Sequence, residues 1–193
     1  ADPLHRAEGI PDEIRFVLDR KADCSVALQA LREGKLPLRV THNDTKLNNI
    51  LFDAETRTPV CVIDLDTIMP GSMLFDFGDS IRFGAATAAE DEKDLSKMEM
   101  DLHLFEIYTR GFLEGAQGGL TAAELEYLPW GAKLMTLECG MRFLTDYLQG
   151  DVYFKTKYPE HNIIRCRSQL ALAADMEAHW DEMKAIVRRC YGK

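Results

Sequence analysis

LRVTHNDTKLNNILFDAETRTPVCVIDLD, residues 38–66, sets a polar loop between short apolar runs. Residues 38–41 are β-prone and 42–48 are polar without period, so a strand end opens into a loop. The runs 49–53 and 60–64 flank a polar turn at 54–59, which predicts a β-hairpin. The loop spells H-x-D-x-K-x-x-N through His42, Asp44, Lys46 and Asn49, and Asp64 follows 20 residues after Asp44 at the end of the second hairpin strand. Phosphoryl transfer asks a protein for a carboxylate to take the proton of the attacking hydroxyl, cations for the phosphate oxygens, and oxygen ligands for Mg²⁺. Asp44 suits the first role and Lys46 can reach the transferred γ-phosphate of ATP. Asn49 and Asp64 offer the hard oxygen donors that Mg²⁺ takes, and the hairpin brings the two beside each other. His42 then orients the loop, because the carboxylate already fills the role of base. Asp and Asn populate every loop, but chance would have to set five residues at these offsets within the right strand–loop–strand frame.

Asp76-Phe77-Gly78 spells a second kinase-like word, yet it lies 32 residues past Asp44 and beyond the Pro70-Gly71 turn. Asp64 is better placed for a metal. Asp76 is expected to cap a helix over 77–83 and to brace the catalytic loop through backbone hydrogen bonds.

Outward from this core the pattern is helical. Pro11, Asp12 and Glu13 start a helix, interrupted near Cys24, that runs to Gly34. Leu95, Met98, Leu102, Phe105 and Phe112 recur at helical spacing and predict one helix ended by Gly115. Thr121 with Glu124 makes a capping box for a helix reaching Leu148. Leu170, Ala173, Trp180, Met183 and Val187 predict a single last helix, and Trp130 and Trp180 read as core. The fold class is α+β and mostly helical, in one domain.

Composition removes several functions. The 193 residues carry 23 basic and 32 acidic side chains, a net charge of -9 that repels a phosphate backbone, so nucleic acid is not expected as a partner. Cys24, Cys61, Cys139, Cys166 and Cys190 are odd in number and lack metal-site spacing, and they read as buried thiols in a reducing compartment. None has Pro two positions on, so the C-x-P-x-R word of a sulfatase is absent. Without a membrane-length apolar run or a leader pattern, a cytoplasmic protein with no membrane contact is expected.

Residues 38–84 resemble the catalytic and metal-binding motifs of the aminoglycoside phosphotransferase and choline kinase superfamily, and within it those of the N-acetylhexosamine 1-kinases. The most specific words are RVTHNDTKLNN and CVIDLDT, and the likeness extends over the chain. The resemblance implies a protein-kinase-like fold and transfer of the ATP γ-phosphate, with Mg²⁺, to the anomeric hydroxyl of an N-acetylated amino sugar. It also implies that Phe83, Arg142 and Tyr153 line the sugar pocket, where residue pattern alone leaves Arg142 open as an ion-pair partner of Glu138 and Asp146. Asp66, one alternation from Asp64, can add a metal contact or bind the sugar. Kinases of this fold hold ATP between two lobes, and nothing before His42 reads as the smaller one. The chain, which opens on ADPLHRAEGI without a methionine, is therefore expected to be the C-terminal lobe alone, inactive until an N-terminal nucleotide-binding lobe is supplied. A choline or aminoglycoside acceptor and a non-catalytic binding module are the rival readings.

Overall fold

A computed structural model describes residues 2–192. Seven α-helices and two separate two-stranded antiparallel sheets are seen among them, which agrees with an α+β, mostly helical chain. α1 (Pro11–Asp19) starts on its proline, a 3₁₀ turn at Asp23–Ser25 makes the interruption at Cys24, and α2 (Val26–Arg32) stops before Gly34 in the left-handed region. β2 (Ile50–Phe52) and β3 (Pro59–Val62) form the expected hairpin, bulged between Leu51 and Phe52. Its strands are shorter than the apolar runs: Asn49 belongs to a 3₁₀ turn, and Asp64 sits beyond the strand in the left-handed region.

A second sheet comes from a segment that reads as a turn. β1 (Arg39–Thr41) pairs with β4 (Met69–Gly71), Val40 opposite Pro70. Proline serves at such an edge because a two-stranded sheet leaves one side without ladder bonds.

Two helices depart from their periodic patterns. Leu95 only opens a 3₁₀ turn at Leu95–Lys97, whereas α4 (Leu102–Gly115) begins where the Asp101 carboxylate accepts from the backbone of His103 and Leu104. Met98 and Met100 are buried all the same, because the chain between is extended, Met100 bridges to Ala86, and alternate residues face the core. The single last helix is two, α6 (His161–Ala178) and α7 (Trp180–Tyr191), broken at His179. Trp180 then stacks edge-on against Trp130 at 5.0 Å, and both are partly buried against the core.

The scaffold of the site is α3 (Met73–Gly84) laid against α5 (Ala122–Gln149). Gly78 and Gly131 meet at this crossing, where a Cβ on Gly78 would enter the van der Waals shell of the Gly131 carbonyl and one on Gly131 that of the Leu74 carbonyl. Because backbone rather than a flexible side chain is in the way, Gly78→Ala must part the helices. A destabilisation of about 1–3 kcal/mol is expected, read as a fall in Tm of roughly 2–4 °C per kcal/mol for a chain of this size; an unchanged Tm would show that the crossing can relax. The Thr121–Glu124 capping box is present at the start of α5. Glu124 also takes a bidentate pair of bonds, 2.7 Å each, from Arg39, so one buried carboxylate closes the helix start and fastens β1 to it.

The thiols are not uniformly buried. Cys166 is, Cys24, Cys139 and Cys190 are half-buried, and Cys61 is exposed because it lies on the uncovered hairpin. No helix among the described residues is long and apolar enough to cross a membrane.

Candidate active site

The polar loop after β1 is held from two sides. From α3, the Asp76 carboxylate accepts from the backbone N–H of His42 at 2.9 Å and of Asn43 at 2.7 Å. Thr45 Oγ1 donates to the Asp76 carbonyl at 2.6 Å, and Ser80 Oγ donates to the Thr45 carbonyl. Asp76 thus braces the loop, but it does not cap the helix: α3 begins four residues before Phe77, and Ser72 is its N-cap. From the other side, Thr67 Oγ1 donates to the His42 carbonyl at 2.6 Å, and Asn43 Nδ2 donates to the Thr67 carbonyl at 2.9 Å. Asn43 itself lies in the left-handed region at φ 64°, a conformation that Asn tolerates better than most side chains.

His42 links the loop to the hairpin. Its Nδ1 accepts from the Asp44 backbone at 3.3 Å, so the ring proton resides on Nε2, which donates to the Ile63 carbonyl at 3.0 Å. The Ile63 N–H in turn donates to the Asn49 carbonyl at 2.9 Å. The residue just before Asp64 is therefore bonded both to the loop's histidine and to Asn49, and the 20-residue spacing closes into one neighbourhood.

Within it, Lys46 Nζ donates to Asp44 Oδ2 at 2.7 Å, and Asn49 Nδ2 donates to the same oxygen and to the Asp44 carbonyl, each at 2.8 Å. Partial burial pushes the Asp44 carboxyl up, but the Lys46 ammonium and the Asn49 amide outweigh it and hold it below the usual aspartate value. Asp44 is ionised at neutral pH, in the state a proton acceptor needs.

The donor set fits Mg²⁺. With both Nδ2 bonds spent on Asp44, the Asn49 amide keeps its Oδ1 as a free acceptor, and the exposed Asp64 carboxylate has no hydrogen-bond partner among the described residues. Among the described residues no group of three or more His, Cys, Asp or Glu gathers to cage a metal. Two oxygen donors suit an ion that retains waters and is completed by nucleotide phosphates.

The residues expected for an acceptor divide. Arg142 and Tyr153 are walls of one cleft of about 320 Å³, with Glu138, Met141, Thr145, Asp146, Gln149 and Phe154. The Arg142 guanidinium lies 5.8 Å from the Tyr153 ring and 5.4 Å from that of Phe154. Its ion pair is with Glu138 at 3.7 Å and not with Asp146, whose carboxylate turns to the backbone of 152–154. Burial pushes the Glu138 carboxyl up. Phe83, half-exposed near the end of α3, and Asp66, exposed on the 3₁₀ turn Leu65–Thr67, are not among the walls. The sequence offers Asp146 only as an ion-pair partner of Arg142 and gives Asn43 no role. Asn43 stands inside the quoted motif but its partner lies 24 residues away, and Asp146 looks like one more charge at helical spacing.

The contacts of α3 put the cleft and the loop on one scaffold. Gly78 meets Gly131 and Met135, and Arg82 is paired to Glu90, which also lies beside Cys139. α3 and α5 thus run side by side in the same direction, with Asp76 and Ser80 on the loop, and Glu138 and Arg142 follow along α5. The family model of the APH phosphotransferase enzyme family matches residues 3–100, which covers the whole loop, the hairpin and α3. That match spans just over half of the chain, and the chain belongs to this phosphotransferase family.

Proposed function

We propose that this chain is the catalytic lobe of an ATP- and Mg²⁺-dependent kinase whose acceptor is the anomeric hydroxyl of an N-acetylhexosamine. The observation that carries the reading is the ionised Asp44 carboxylate, held between Lys46 and Asn49 on a loop that Asp76 pins to α3. Asp44 takes the hydroxyl proton as the acceptor oxygen bonds to the γ-phosphorus and the bond from that phosphorus to the departing ADP breaks. Lys46, half-exposed, exchanges its contact with Asp44 for the γ-phosphate when nucleotide is present. Asn49 and Asp64 would hold Mg²⁺, which would neutralise charge on the phosphates, and Asp66 would add a metal contact or bind the sugar. His42 and Asp76 keep the loop in shape.

The acceptor reading rests on the cleft at Arg142. A sugar ring packs against an aromatic face while its hydroxyl and acetamido oxygens take donors, and Tyr153, Phe154 and Arg142 supply both, whereas Phe83 stands outside the cleft walls. Glu138 is already paired with Arg142, and the buried Asp146 carboxylate is taken up by the 152–154 backbone and Asn162, so neither carboxylate is free to select choline or an aminoglycoside. A neutral acceptor fits better.

The exposed side chains of the two sheets bear on the partner. Leu38, Val40, Leu51, Val60, Val62 and Met69 are all at least half exposed, Val40 at 81%. So many exposed apolar side chains beside the catalytic loop suit contact with a nucleotide-binding lobe that closes over ATP. The test is an ATP-dependent assay with N-acetylglucosamine and N-acetylgalactosamine on the 193-residue chain and on a form extended upstream. Sugar 1-phosphate is expected from the extended form alone, because half a cleft cannot hold the γ-phosphate in line with its acceptor. Turnover by the short chain would refute the second lobe; an extended form active only on choline or an aminoglycoside would refute the sugar.

A further inference from the structure

Asp146 is 97% out of contact with solvent, yet its carboxylate does not pair with a cation among the described residues. Oδ1 accepts from the backbone N–H of Val152 at 2.9 Å and of Tyr153 at 2.8 Å. Oδ2 accepts from Phe154 N–H at 2.9 Å and from Asn162 Nδ2 at 2.8 Å. Four donors on one buried carboxylate satisfy all its lone pairs, and three of them belong to consecutive residues after the end of α5. Asn162 also donates to Asp151 Oδ1 at 2.8 Å, and Arg6 donates to Asp151 Oδ2 at 2.6 Å and to the Tyr147 carbonyl. The loop is thereby fixed at α5, at α6 and at the N-terminal segment.

What the loop carries is exposed. Tyr153 is 71% accessible, and it and Phe154 are the two rings against which Arg142 lies in the cleft. An exposed aromatic ring cannot set its own position by packing; its backbone must be set for it. We propose that Asp146 is a positioning residue for acceptor recognition, acting through the 152–154 backbone to hold Tyr153 and Phe154 opposite Arg142. This rests on the reading of the Arg142 cleft as the acceptor site.

The variant Asp146→Asn keeps the shape but turns an NH₂ toward either the Val152 and Tyr153 donors or the Phe154 and Asn162 donors. On this chain, hydrogen exchange of the 152–154 amides should accelerate while that of mid-α5 is unchanged. In the complete enzyme, with the acceptor chosen from N-acetylhexosamines, choline and an aminoglycoside as the one the wild type uses, acceptor KM should rise on the order of tenfold with ATP KM unaltered. Tyr153→Ala should do the same, and the double variant should fall short of additivity, since Asp146→Asn acts in part through the Tyr153 ring. Should Asp146→Asn fail to fold, Asn162→Ala removes one donor of the four and should give the same pattern in smaller measure. Unchanged amide exchange, additive effects on KM, or an equal rise in ATP KM would each overturn the proposal. A wild type that ignores both sugars but uses another acceptor removes the sugar and leaves this test standing.

Discussion

Asp44→Asn in the complete enzyme is expected to lower turnover by about 10²-fold or more, the usual loss when a positioned base is removed, with ATP binding close to normal. The two parts follow from geometry. Asparagine keeps the size of the side chain and can still accept the Lys46 ammonium through its one oxygen, so the loop held by Asp76, Thr67 and Asn43 has no cause to move. The proton acceptor is lost all the same. The hydrogen bond that Asn49 keeps on Asp44 once Lys46 has moved to the phosphate still makes the carboxylate a weaker base than a free one, so it serves a reaction in which the proton leaves late, as in the loose transition state of phosphoryl transfer. Turnover and nucleotide affinity measured together decide the matter. Unchanged turnover removes Asp44 from the role, and a parallel loss of ATP binding would make the change structural.

The parts of this site legible in the sequence are those whose partners are near in the chain. Asp44, Lys46 and Asn49 lie within five residues of one another, and all three meet in hydrogen bonds. Asp64 was reachable because a hairpin returns the chain to Asn49, and pairing of Ile63 with Asn49 is what that requires. The missed features depend on distant partners. β4 exists because β1, 28 residues upstream, offers a ladder to Pro70-Gly71. Asn43 answers to Thr67, and Asp146 answers to a loop whose backbone donors have no signature in residue type. Periodicity misled in one further way. Met98 and Met100 are apolar because they are buried, and burial from an extended segment gives the same letters as a helix face.

Asp76→Ala is expected to cut turnover by roughly 10–10²-fold although the side chain touches no substrate. Among the described residues its carboxylate is the only acceptor for the N–H groups of His42 and Asn43, and each donor left without one costs about 1–3 kcal/mol. The loop can recover part of that cost by tilting the two peptides toward water. Tilting, however, moves Asp44 on the adjoining residue, and a shift of about 1 Å in a reacting group is enough for a 10²-fold loss. Stability should fall as well, with Tm lower by roughly 2–4 °C for each kcal/mol not recovered. Asp76→Asn, which keeps one oxygen for one of the two donors, should lie between wild type and Asp76→Ala in both measures. The decisive quantity is kcat per folded molecule, taken well below the variant's Tm. If Asp76→Ala lost stability but kept wild-type kcat, the anchor would serve the fold alone and the shape of the 42–49 loop would be set by Thr67 and Asn43 without it.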